Sequence, residues 1–215
     1  MLKKIIIPKS IILLIILAFA LNILRVILFD KFSFIYILWN IFLAFIPFLI
    51  SSILLYYKEN DKLNKTVFII GSILWVVFIP NAPYIITDLI HIGVVRSVPV
   101  LYDSILLFTS AWVGLLLGMS SIFHMEKIFL YKYSKKITSF IIIIILLLTS
   151  FGMYLGRFFR FNSWDIFTSP IYSLGKLFSN LTSSAYHIEA LIYILLFFVF
   201  LYVSYSSWKY SNLKQ

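Results

Sequence analysis

Apolar runs long enough to cross a bilayer dominate this chain, and they limit its fold before any motif does. Hydrocarbon about 30 Å thick demands around 20 apolar helical residues, and segments 10–29, 33–57, 66–79, 102–123, 137–155 and 188–206 supply six candidates. Without water to satisfy it, a spanning backbone must bond to itself, so the expected structure is all-α. Hydrophobic residues fill 62% of the 215 positions and charged ones only 12%, which excludes a soluble domain. Residues 1–215 therefore read as a single polytopic membrane domain, a six-helix transmembrane bundle.

The start, MLKKIIIPKSIILLIILAFA, imitates a secretory signal with Ala18-Phe19-Ala20 at the cleavage position, but its apolar run continues to Phe29. An uncleaved first span is expected. The third span is short: Thr66 to Ile79 gives roughly 21 Å at the helical rise. It either continues through the following prolines with a kink or forms a re-entrant half-helix. Charge favours continuation. With both termini cytoplasmic, twelve of the 18 Lys and Arg lie inside, whereas a re-entrant third segment would move Lys127 to Lys136 outside. The chain is thus placed in the cell membrane with both termini in the cytoplasm. Its net charge of +10 reflects topology and contact with anionic lipid rather than nucleic-acid binding.

All four arginines fall on the outer side, while twelve of the fourteen lysines fall inside. Arginine's planar fork suits carboxylate or phosphate, so this confinement suggests specific pairing at that face. Two polar stretches share it. In FIPNAPYIITDLIH, Phe78 to His91, Pro80 should end or kink the third span and Asn81 should cap a new helix. At 100° per residue, Asn81, Tyr84, Asp88 and His91 fall within about 80°, with Ile85 on another side. Gly93 is the expected terminator. In GRFFRFNSWD, Gly156 to Asp165, Arg157 and Arg160 are three apart and should share a helical face, with Asn162, Trp164 and Asp165 at the interface. Asp103 opens the fourth span on the same side. Ile171, Leu174, Leu177, Phe178 and Leu181 keep the spacing of an interfacial helix on the external face.

FIPNAPYIITDLIH, LYDS and GRFFRFNSWD resemble the signature blocks of a bacterial integral membrane family, domain of unknown function 1361. The resemblance covers roughly Thr66 to Thr168 and implies that Asn81, Pro83, Tyr84, Asp88, His91, Asp103, Arg157, Arg160, Asn162, Trp164 and Asp165 occupy motif positions. It carries no activity.

Three functions stay open. One is a membrane enzyme acting on an external lipid or lipid-linked anionic substrate. In it Asp88 and His91 form an acid/base pair oriented by Asp165. Arg157 and Arg160 clamp the anion, and Asn162, Asn81, Tyr84, Asp103 and Trp164 complete substrate binding. The second is a structural or accessory protein in which the charges form an ion-pair clasp or partner site. The third is a small transporter, against which one-sided polarity counts. No cofactor is called for, and the lipid bilayer is the only certain partner. Asp88, His91, Asp103 and His187 have the types of metal ligands without a supporting spacing, so no metal is assigned. The chain contains no cysteine, which excludes disulfides and thiol catalysis and makes topology directly testable. Single cysteines at Asn81 and Asn162 should react with an impermeant maleimide from outside, and one at Ser134 should not. External labelling at Ser134 alone would invert the assignment.

Overall fold

A computed structural model describes residues 8–95, 97–161, 163, 165–168, 175 and 187–213. Six apolar stretches among them are long enough to cross a membrane: Lys9–Phe29, Tyr36–Glu59, Lys65–His91, Val100–Lys132, Lys135–Phe159 and Ile188–Ser211. The described residues contain no strand. Asn162, Trp164 and the interfacial helix expected near Ile171 to Leu181 lie outside them. The elements are α1 (Lys9–Phe29), α2 (Tyr36–Glu59), α3 (Lys65–Phe78), α4 (Asn81–Tyr84), a 3₁₀ helix (Ile85–His91), α5 (Val100–Lys132), α6 (Lys135–Phe159), α7 (Asp165–Thr168) and α8 (His187–Leu213). They form two compact units, Met1–Thr138 and Ser139–Gln215.

In the first unit α5 is the hub, packing against α1, α2, α4 and the 3₁₀ helix. Its apolar window is 78% buried against 22% for α1, so α5 runs through the interior while α1 stays peripheral. The core joins Ile37, Ile41, Ala44 and Phe48, one face of α2, to Leu106, Leu107, Val113 and Leu117 of α5. Ala82 and Ile85 complete it.

The third span continues through its prolines. Asn64 caps α3 by accepting the Val67 N–H at 2.8 Å, and Ile79 and Pro80 then keep right-handed helical angles. The expectation that Asn81 caps a new helix is therefore corrected. A cap needs a non-helical residue before the first turn, but the backbone never leaves the helical region, and the Asn81 amide donates instead to the Phe78 carbonyl at 3.0 Å. Beyond Tyr84 the winding tightens to three residues per turn. This also corrects the expected polar stripe: Ile85, Asp88 and His91 eclipse one another, and Ile85 joins the row from which a 3.6-residue period excluded it. Gly93, at φ 77°, ends the segment in the left-handed region.

Two glycines of α5 admit this segment. A Cβ at Gly114 would collide with the Ala82 carbonyl oxygen, and one at Gly118 would stand 3.3 Å from the Ala82 Cβ and 3.6 Å from the Pro83 Cδ. The small-residue face thus receives the Ala82 backbone at Gly114 and the small side chains of Ala82 and Pro83 at Gly118.

In the second unit, Tyr193 of α8 packs edge-on against Phe158 of α6, with ring centroids 5.1 Å apart, and tilts against Tyr154 at 5.9 Å. The α8 window is 11% buried, as suits a helix turned to lipid. Helix α6 stops at Phe159. Arg160 follows with φ 51°, and the Phe161 N–H reaches back to the Leu155 carbonyl at 3.3 Å. Arg157 and Arg160 therefore do not share a helical face, because the left-handed turn intervenes.

Gly114→Ala should lower stability by about 1–3 kcal/mol, the usual cost of overpacking, despite the better helix propensity of alanine. Gly118→Ala should stay near wild type. Thermal unfolding of the two variants in detergent checks the difference.

Candidate functional site

The polar end of the first unit is organised by one ion pair. Arg25, near the end of α1, donates from Nε to Asp103 Oδ1 at 2.8 Å and from a terminal nitrogen to Oδ2 at 3.2 Å. Its other terminal nitrogen donates to the Lys31 carbonyl at 3.0 Å. Arg25 is 1% exposed and Asp103 fully buried, so the pair lies in a low-dielectric setting where a two-pronged geometry and further hydrogen bonds offset desolvation. The Tyr102 hydroxyl adds a second tie to α1, donating to the Leu21 carbonyl at 2.7 Å.

A file of rings leads from this pair toward the 3₁₀ row. The Arg25 guanidinium lies 4.3 Å from the Phe34 ring centre, Phe34 meets Tyr36 edge-on at 6.3 Å, and Tyr36 meets His91 edge-on at 6.4 Å. On the same row Asp88, 2% exposed, accepts a hydrogen bond from the Asn40 amide of α2 at 3.1 Å. Thr87 turns back to the Tyr84 carbonyl at 2.8 Å. The result is a carboxylate and an imidazole one 3₁₀ turn apart, with the imidazole half-buried and the carboxylate held by an amide.

Of the residues singled out in the sequence, Asn81, Tyr84, Asp88, His91 and Asp103 belong to the first unit, and Arg157, Arg160 and Asp165 to the second. Arg157 is half-buried and Arg160 exposed. Asp165 begins α7, where a carboxylate interacts favourably with the helix start. Asp103 gives both carboxylate oxygens to Arg25, so it bonds within the fold.

A second polar group lies farther along α5, and sequence reasoning passed over it. His124 Nδ1 sits 3.2 Å from the Ser52 hydroxyl and 3.5 Å from that of Ser51, with its ring tilted over Phe48 at 5.5 Å. The Ser51 hydroxyl donates to the Phe48 carbonyl at 3.0 Å and stands 3.0 Å from Ser121. Ser121 accepts the Trp75 indole N–H at 2.7 Å and donates to the Pro47 carbonyl at 2.9 Å. Helices α2, α3 and α5 are thereby joined through hydroxyl groups beside Pro47, the proline inside α2. A lone histidine inside an apolar run was the available signal.

The family described as "Protein of unknown function (DUF1361)" matches residues 39–204. The chain belongs to this family. In this DUF1361 protein the match takes in Asn40, Asp88, His91, Asp103, His124, Arg157, Arg160 and Asp165, and it begins after Arg25. Neither the curated proteins nor the solved structures contain a match to the chain.

Breaking the buried pair on one side should be costly. Arg25→Met or Asp103→Leu alone should each destabilise this DUF1361 protein by about 3–5 kcal/mol, since each leaves a charge buried without its partner. The double variant should recover most of the loss. Thermal unfolding of the three proteins provides the double-mutant cycle.

Proposed function

We propose that this DUF1361 protein is a membrane enzyme acting on an external lipid or lipid-linked anionic substrate. The observation that carries this reading is the 3₁₀ row. Asp88 and His91 stack one turn apart on a segment braced by Pro80, Pro83 and the glycines of α5, while Asn40 fixes the Asp88 carboxylate. Such a pair suits general acid/base work, provided that the proton moves within hydrogen-bond reach. Arg157 and Arg160, in the second unit, carry the planar forks that suit an anionic group. Asn81 and Tyr84 contribute substrate contacts. Asp103 acts indirectly, through Arg25, by fixing the end of α5. Placement in the cell membrane with both termini cytoplasmic belongs to the same proposal.

One observation favours the accessory reading. Arg25 and Asp103 are a structural clasp, so this chain does use an arginine fork to hold helices together. Activity and stability separate the alternatives. Reconstituted in vesicles of a total polar lipid extract, the wild-type protein should convert at least one anionic lipid, detected by mass spectrometry. His91→Gln and Asp88→Asn should slow that conversion by roughly 100-fold or more, with unfolding temperatures close to wild type. An unchanged lipid profile for the wild type, with Asp88→Asn lowering the unfolding temperature, would favour the clasp.

A further inference from the structure

The opposite end of the first unit carries a different chemistry. Helix α2 ends at Glu59, α3 begins at Lys65 and α5 ends at Lys132, and two lysines bridge the seams between these ends. Lys58 of α2 places its ammonium 3.0 Å from the centre of the Tyr131 ring on α5, and Lys132 of α5 lies 4.6 Å over the Phe68 ring of α3. A ring face attracts the cation without occupying all three of its donors, so each ammonium is positioned and still able to bond outward. Lys62 and Lys65 are exposed in and just after the connection between α2 and α3. Glu59 and Asp61 are exposed there too, so the four lysines leave an excess of two positive charges.

Apolar surface adjoins this basic rim. Ile69 and Ile70 of α3 are 44% and 54% exposed, and Leu130 of α5 is 45% exposed. The combination of a cationic rim with exposed aliphatic side chains beside it fits a molecule that is anionic at one end and hydrocarbon at the other. A soluble acidic protein or free phosphate would use only the first half.

We propose that the rim formed by Lys58, Lys62, Lys65 and Lys132 binds the headgroup of an anionic phospholipid. The acyl chains lie along the exposed aliphatic faces of α3 and α5. The site is independent of the Asp88 and His91 row and does not require an enzymatic activity.

The full chain, purified in neutral detergent, is titrated with phosphatidylglycerol, phosphatidylcholine, inorganic phosphate and polyglutamate, and binding is read as a rise in unfolding temperature. Phosphatidylglycerol should raise it strongly, the other three little. Removing two lysines in Lys58→Gln/Lys132→Gln should weaken phosphatidylglycerol binding by about tenfold or more, while Lys58→Arg/Lys132→Arg should retain it. Wild-type binding should also weaken with added salt. Equal responses to the two lipids, an equal response to phosphate or polyglutamate, or salt-independent binding would overturn the proposal. So would full binding by the glutamine variant.

Discussion

Contact between the Ala82 backbone and the bare face of α5 at Gly114 is the constraint on which the first unit depends. A helix interrupted by two prolines leaves backbone groups without their usual partners, and hydrocarbon offers no water to satisfy them. Such a segment survives at membrane depth only when protein surrounds it. Gly114 provides that enclosure by admitting the Ala82 carbonyl where any side chain would hold it away, and Gly118 lies against the Ala82 Cβ and the Pro83 ring. Pro83 and Ala82 are buried as a result, and the tighter winding that follows turns Asp88 inward to Asn40.

The remaining polar groups of this unit follow from the same enclosure. Once the broken segment is seated, Asp88 and Asp103 are both removed from solvent. Each meets a donor from another helix: Asn40 for one, Arg25 for the other. The Asn40 amide ties the 3₁₀ segment to α2. A full guanidinium fork serves where α1 must be held to α5. The two carboxylates sit on neighbouring elements, and each is tied to a helix distant in sequence.

Much of this architecture was legible because the bilayer imposes simple lengths. Six spans, the continuation past Pro80 and the stop at Gly93 all followed from general rules. The Asn81 cap failed because the backbone stays helical through Pro80, and the other two errors share one cause: they assumed a 3.6-residue period through to the end of each helix. At Ile85 to His91 the winding is tighter, and at Arg160 the helix has already closed, so the stripes drawn through Asn81 and through the two arginines did not survive. Partners distant in sequence were invisible. Nothing local links Arg25 to Asp103 or Asn40 to Asp88, and Asn22, which could equally have reached across helices, bonds back to the Ala18 carbonyl within α1. His124 was missed because one imidazole among aliphatic residues has no spacing to detect, only its presence.

The hydroxyl cluster around Ser121 has a further consequence. A proton wire needs groups that both donate and accept at every link, and Ser51, Ser52 and Ser121 meet that requirement. Their neighbours do not. The Trp75 indole only donates, and the carbonyls of Pro47 and Phe48 only accept. The cluster therefore binds three helices together through hydroxyl links that end in one-way partners.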